Sequence, residues 1–274
     1  VKGTLYIVST PIGNLEDITL RALKVLKEVD VIAAEDTRHS RKLLTHYGIS
    51  KPLISYWREK EKVKSMEILE RLNSGQSVAL ISDAGTPGIS DPGAVLIKKV
   101  LDEGISVVSV PGASALIAAL SISGLSTEEF TFIGFLPAKK TQRQKVLKEM
   151  SLEPRTLVFY EAPHRILETL SDMKEIFGER RAAVVKEISK IHEEVLRGNL
   201  SEVLDMLEES TIAGEYVIVV EGRAEEKRLT TDDALSEVNA LMKKGLGRKE
   251  AVKKIAEAYG LSKKELYDKS LKVE

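Results

Sequence analysis

The chain has 274 residues, too many for one ordinary small domain, and 43% of them are hydrophobic, enough to fill the cores of two. Charged residues reach 30% but cancel to a net charge of -1, so bulk electrostatics announce neither a nucleic acid nor a membrane, and any such surface must come from local clustering. Cysteine is absent, which removes disulfides, cysteine-ligated zinc, iron–sulfur clusters and thiol nucleophiles.

The amino end, VKGTLYIVST, lacks the basic stretch and long apolar run of a secretory signal, and the expectation is a soluble, cytoplasmic protein. Leu5–Ser9, Val31–Ala34, Val78–Ser82 and Ile105–Val110 are short, continuous, β-branched runs bounded by Gly, Pro or Asp. Such runs fit strands buried on both faces of a parallel sheet. Helical patterns over Thr19–Glu28, Arg38–Tyr47, Val63–Leu72 and Ala94–Glu103 separate them, giving an open α/β domain. Ala113–Ile122 is the most apolar later stretch, Ala/Ser-rich and too short to span a membrane.

A second group of strands follows Gly124: Phe130–Gly134, Thr156–Tyr160, Ala182–Glu187, Glu193–Gly198 and Tyr216–Glu221. Helices are predicted over His164–Phe177 and Leu200–Glu208, and the very short link before His192–Gly198 predicts an antiparallel pair. After Gly222 come three helical patterns, Asp232–Lys244, Arg248–Tyr259 and Ser262–Leu271. From Lys243 to Lys272 there are ten Lys/Arg against four Asp/Glu, a net of +6, which reads either as a solvated helical face or as an RNA contact. The division expected is therefore 1–116, 117–224 and 225–274: two α/β domains and a small basic helical extension.

Three Gly/Pro-rich turns follow strands predicted to be parallel: Thr10–Asn14, Ser82–Gly93 and Pro111–Ser114. Ligands of open α/β sheets lie at the carboxyl ends of strands, where glycine lets backbone approach closely, so the three loops together predict a small-molecule pocket. The dinucleotide fingerprint, the Walker A pattern, His-Glu-x-x-His and the Gly-x-Ser-x-Gly elbow are all missing. His39, His46, His164 and His192 lack metal-ligand spacing, and no metal is expected. The chain is better supplied for gripping a ligand by backbone than for nucleophilic, hydride or zinc chemistry.

Several blocks closely resemble ribosomal RNA small subunit methyltransferase I, a family of the tetrapyrrole methylase superfamily, the class III methyltransferases. They are Leu5–Asp17 (LYIVSTPIGNLED), Ala34–Arg38 (AEDTR), Ser82–Gly93, Phe132–Pro137 (FIGFLP), Phe159–Arg165 (FYEAPHR) and Gly214–Tyr216. The likeness spans residues 3–222 in order. Two positions depart from the family's pattern: Lys186-Glu187-Ile188-Ser189-Lys190 where Arg-Glu-Leu-Thr-Lys is commoner, and Ala113 where proline is common. Lys186 cannot reproduce a bidentate arginine contact to phosphate.

The resemblance implies an α/β fold of two tetrapyrrole-methylase-type domains with S-adenosyl-L-methionine in the cleft between them, in a homodimer. It implies 2′-O-methylation of a cytidine in the decoding region, on free small-subunit ribosomal RNA or the assembled small subunit. It places Pro11, Gly13, Asp83, Gly85, Thr86 and Ser114 around the cofactor from the first domain, with Tyr160, Glu161, Ala162, Gly214 and Tyr216 from the second. Methyl transfer from a sulfonium is an in-line displacement that needs alignment, exclusion of water and an acceptor for one proton.

Candidates for that acceptor and for positioning are Glu35, Asp36 and Asp17, with Arg38 holding a phosphate. Asp17 reads equally as a helix N-cap, and Asp83 also as an Asx-turn residue. Asp91 reads as a cap for a helix over Pro92–Glu103. RNA phosphates are expected at Arg21, Arg41, Lys139, Lys140, Arg143, Arg165, Lys186 and Lys190, and a splayed base on Tyr56, Trp57 or Phe135. The alternatives are a tetrapyrrole C-methyltransferase, a non-catalytic ribosome-assembly factor of the same fold, and a phosphate-transfer enzyme. The last would want a lysine within 82–93, which has none.

Overall fold

A computed structural model describes residues 1–224 and 231–271, and the chain divides into two compact units, 1–223 and 224–274. The first unit contains two five-stranded sheets. Sheet one is built from β1 (Thr4–Val8), β2 (Val31–Ala34), β3 (Leu53–Ser55), β4 (Val78–Ile81) and β5 (Ser106–Val110), in the order β3-β2-β4-β1-β5 with every pairing parallel. Because strand side chains alternate, Leu5, Ile7, Val78 and Leu80 face α3 (Glu61–Asn73) and α4 (Ala94–Asp102). Val8, Ala79, Ile81 and Val110 face α1 (Leu20–Glu28) and α2 (Thr37–His46) on the other side. With both faces covered, a continuous apolar run is the stable solution, and truncating one such leucine costs about 2–5 kcal/mol.

Sheet two comprises β6 (Phe130–Phe135), β7 (Thr156–Glu161), β8 (Arg181–Lys186), β9 (Glu194–Asn199) and β10 (Tyr216–Val220), ordered β6-β7-β10-β8-β9. Only β6–β7 is parallel, with a register shift at Phe132/Gly134; β8 and β9 form the antiparallel pair that their short link predicts. One face packs on α6 (Lys140–Met150), α7 (Ile166–Phe177) and α8 (Leu200–Glu208). The other is covered by α5 (Ala115–Ile122), the helix that leaves β5 of sheet one and carries Ala119 and Leu120 onto Val158, Val217 and Val219. Position 116 lies within α5, so this one helix ties the two sheets together.

Three of the named elements escape the sequence pattern: α5, which reads only as an apolar Ala/Ser-rich stretch, β3 and α6. Strand β3 has three residues, too few for a periodic signal. Helix α6 buries Arg143 and Leu147, so its inward face does not read as apolar. Arg143 is 1% exposed, with Nε 2.7 Å from Asp172 and Nη2 3.3 Å from Glu168. That corrects its assignment to RNA: a guanidinium sealed between two α7 carboxylates has no face left for phosphate. Tyr56 is likewise buried, bonded to Ser65 and Glu61 at 3.3 Å, and cannot stack on a base.

The second unit is helical where described: α9 (Thr231–Lys243), α10 (Arg248–Tyr259) and α11 (Lys263–Ser270) around Ala234, Val238, Val252, Ile255 and Leu266. Of its basic stretch, Lys272 lies outside the described residues. Among the described residues no helix is long and apolar enough to cross a membrane.

Candidate active site

The three loops after β1, β4 and β5 lie at the carboxyl edge of sheet one, and the first two are laced together. Thr10 N–H donates to Gly85 at 2.9 Å and Gly85 N–H returns a bond to Thr10 at 3.1 Å. The Ser9 and Thr86 hydroxyls meet at 2.8 Å, and Thr10 Oγ1 donates to Ser82 O at 3.1 Å. Gly85 sits at φ +80°, a left-handed conformation that a side chain resists, so the bridge to Thr10 calls for glycine. From outside, Glu61 accepts the Gly93 N–H at 2.9 Å and Arg58 donates to Ser90 O at 2.8 Å, pinning the far end of the loop.

Between these loops and sheet two lies a cleft of about 520 Å³, within the range of sites that enclose a drug-sized ligand. Ile12, Ala84 and Ile89 form its wall from sheet one; Phe135, Tyr160, Tyr216 and Val217 form the wall from sheet two. The start of α5 closes the end, where the Leu116 N–H donates to Tyr160 Oη at 3.1 Å. Burial holds the Tyr160 phenol above its usual range, so it stays a neutral hydroxyl. The lining is chiefly apolar, with Asp91, Ser90, Thr86 and Ser114 supplying polar groups.

Of the cofactor positions expected from sequence, Gly85, Thr86, Ser114, Tyr160, Glu161, Ala162 and Tyr216 lie on this cleft. The Glu161 carboxylate, however, is buried and spent on Arg165 at 2.5 Å, Thr169 at 2.7 Å and the Ala162 N–H at 2.8 Å. Pro11 is buried behind Ile12 and is not part of the wall. Gly13 packs under Lys190, whose Cγ would lie 2.4 Å from an added Cβ. Gly214 stands at φ +82° where a Cβ would fall 2.2 Å from the Glu187 carboxylate, so its part is to let that carboxylate reach the Glu215 N–H at 2.9 Å. Asp83 also lies off the wall; it caps across to β2, accepting the Asp36 N–H at 3.1 Å, not closing an Asx-turn in its own loop.

Beside the cleft, at the carboxyl ends of β2 and β3, Glu35, Asp36, Thr37, Arg38, Ser55 and Trp57 surround an open recess of about 360 Å³. Asp36 caps α2 through the N–H groups of Arg38 (2.7 Å) and His39 (3.3 Å), which hold its carboxyl below the usual range. Glu35 behaves oppositely. Burial first, then the Asp91 and Asp83 carboxylates, push it up to about 7 against the pull of Arg58. Asp91 faces the cleft and is itself raised, by burial and then by Asp83 and Glu215. Helix α4 starts at Ala94 with Gly93 in the capping position, so Asp91 is not its cap. Glu35 thus lines the recess and feels the charge of Asp91 on the cleft.

Asp17 is not the cap of α1, a role that Thr19 fills. Its carboxylate instead accepts the Ser189 hydroxyl from the β8–β9 turn, and both border a side recess shared by Ile12, Ser114 and Ile188. In that turn Glu187 (φ +52°) and Ser189 (φ +66°) are, among the described residues, the non-glycine residues at positive φ, a strain that persists only where the surroundings enforce it. Lys190 is tied to Glu187 at 2.7 Å and Glu215 at 3.1 Å. Lys186 donates to Thr211 O at 2.7 Å and Arg165 is held by Glu161, so neither is a free phosphate contact, contrary to expectation. Arg21, Arg38, Arg41, Lys139 and Lys140 are exposed. Sequence reasoning missed Arg58 and the siting of Asp91, Phe135 and Ile188; the placement of Asp91 within a Gly/Pro loop was the available signal.

Residues 4–204 match the family model of Tetrapyrrole (Corrin/Porphyrin) Methylases. The chain is 46% identical over 272 residues to ribosomal RNA small subunit methyltransferase I of Halalkalibacterium halodurans, covering 97% of this chain and 94% of that one. It is 49% identical over 268 residues to the protein of the same name from Xylella fastidiosa, covering 97% and 98%. In fold it is similar to uroporphyrin-III C-methyl transferase of Thermus thermophilus complexed with S-adenyl homocysteine, with TM-score 0.57 and 20% identity over 80% of this chain and 97% of that one.

Proposed function

Since the chain belongs to the tetrapyrrole methylase family, and within it to the ribosomal RNA small subunit methyltransferases I, we propose that it methylates the 2′-oxygen of a cytidine in small-subunit ribosomal RNA. Its cofactor is S-adenosylmethionine, whose bound form supplies a methyl carbon already activated by a positive sulfur. The residues fit such a group: the cleft is large enough, mostly apolar, and carries carboxylates at Asp91 and Glu215 toward a ligand that bears positive charge.

The observation that carries the reading is the position of Glu35, a carboxyl pushed up to about 7 on an open recess rimmed by Arg38 and Trp57, and close enough to feel Asp91 on the cofactor-sized cleft. A ribose hydroxyl is a weak acid, and its proton must leave as the oxygen–carbon bond forms and the carbon–sulfur bond breaks. Glu35 is poised near neutral pH to accept that proton at a carboxylate oxygen. Arg38, exposed at the start of α2, supplies a charge for the adjoining phosphate, and Trp57, 37% exposed, supplies a ring for an unstacked base. The walls of the cleft exclude water from the transferred carbon. The Asp17–Ser189 bond and α5 link the side of sheet one to that of sheet two.

Calorimetric titration with S-adenosylmethionine, beside ATP·Mg, tests the cofactor, and methyl incorporation into purified small subunits with mapping of the 2′-O-methyl tests the substrate. Saturable binding of S-adenosylmethionine alone and a modified cytidine are expected. Methylation of uroporphyrinogen but not of small subunits would overturn the substrate class. Light scattering of the same sample tests the homodimer, and the mass of a single chain would exclude it.

A further inference from the structure

The C-terminal helical unit carries charge that methyl transfer in the cleft does not use. Helix α10 ends at Gly260 in the left-handed conformation (φ +62°), and Ser262 caps α11 by accepting the Glu265 N–H. The three-residue turn folds α11 back beside α10. It brings Lys249 and Lys253, one helical turn apart, together with Lys263 and Lys264 around a shallow groove of about 330 Å³. Val252 and Tyr267 also contribute to the groove, and Asp268 is the one acid on it.

Lys263 is neutralised by Glu257 at 2.6 Å, but Lys249, Lys253 and Lys264 have no ion pair among the described residues. Like charges one turn apart oppose the helix that bears them, and although Glu257 and Asp268 lie near, lysines outnumber acids around the groove, so an anion is attracted to it. The exposed large apolar side chains of the unit are Tyr259 and Leu271 alone among the described residues, too few to enter a bilayer. Lysines present point charges without the fork geometry that reads base edges, which suits a phosphodiester backbone. An A-form duplex excludes a helix from its major groove, so contact would run along phosphates.

We propose that the Lys249–Lys253–Lys264 groove docks the phosphate backbone of the ribosomal RNA substrate, holding it by charge while the cleft selects the nucleotide. The proposal rests on the methyltransferase reading for the identity of its partner.

The test uses the full chain in three forms: wild type, K249Q/K253Q/K264Q and K249R/K253R/K264R. Binding to a fluorescent small-subunit rRNA fragment is followed by anisotropy, and methyl transfer to small subunits by kinetics, between about 50 and 200 mM salt. The glutamine form is expected to raise KM for RNA several-fold while kcat and S-adenosylmethionine affinity hold. Its log affinity against log salt should flatten by about 2 to 3, the share of three lost phosphate contacts. The arginine form should behave as wild type. Unchanged KM and salt slope in the glutamine form, a fall confined to kcat, or tighter binding to duplex DNA than to the rRNA fragment would overturn the groove. If the wild type binds rRNA through these lysines yet transfers no methyl group, the groove stands and the reading of the cleft falls.

Discussion

Replacing Glu35 by glutamine keeps the shape of the side chain and removes its capacity to take a proton. Loss of a general base costs about 10²–10⁴ in rate, and single-turnover methyl transfer at saturating S-adenosylmethionine should fall by that much in E35Q. With the carboxyl at about 7, roughly a tenth of the enzyme is ionised at about pH 6 and nine-tenths at about pH 8, so the wild-type rate should climb about tenfold between them. The same residue can be titrated by its neighbours. Arg58 pulls it down, so Arg58→Gln should move the acidic limb to higher pH; Asp91 pushes it up, so Asp91→Asn should move it lower. Stability gives an independent reading. The native value lies above that of the unfolded chain, about 4.3, so the folded state holds the proton longer. This group's contribution is therefore present below about 4.3 and lost as pH rises through about 7, and E35Q should flatten that segment of the stability curve. A wild-type rate in E35Q, or a limb that stays put in Arg58→Gln, would refute the assignment of the base.

Removing Asp172 leaves Arg143 buried with only the Ala138 carbonyl and the exposed Glu168 for company, so D172A should lose about 3–5 kcal/mol in urea unfolding. The double change R143M/D172L should recover most of that loss; equal damage from both would show that packing, not charge, is what failed. Gly214→Ala forces a Cβ onto the Glu187 carboxylate at positive φ, so affinity for S-adenosylmethionine in calorimetry should drop while Gly245→Ala, which meets nothing within 4 Å, should leave it intact. Ser189→Gly and Ser189→Ala both delete the hydroxyl that reaches Asp17, but only glycine relieves the φ of +66°. Glycine should therefore be the more stable of the two by about 1–2 kcal/mol, and equal melting curves would show that the turn stores no strain.

The first sheet was legible because a doubly covered parallel strand must be apolar along its length, and Val78–Ile81 or Val31–Ala34 can be little else. The three Gly/Pro loops told where the cleft would open, since the carboxyl edge of such a sheet is where the connecting backbone turns away. Polarity misled where the partner lay on another element or at a turn. Arg143, Arg165 and Lys186 read as surface cations, yet each finds its acceptor between 4 and 29 residues away on another element or at a turn. Asp91 read as a cap because Pro92 follows it, and nothing local showed that Glu61, thirty-two residues earlier, would serve Gly93 instead. Glu35 was named from its block of residues; its raised pKa depends on Asp83 and Asp91, which only the folded chain brings near.

Strand β10 is the last strand of the first unit to be made, yet it lies at the middle of sheet two, between β7 and β8. Until residue 220 has left the ribosome, both of those strands show a bare edge and α5 has only part of its seat. Tyr216 and Val217, two walls of the cleft, arrive in the same strand. A growing chain therefore completes the cleft at the same moment that it closes its second core. Any nascent fragment ending before Tyr216 at once lacks part of the cleft's wall and is exposed to edge-to-edge pairing, so quality control can read a single defect in both.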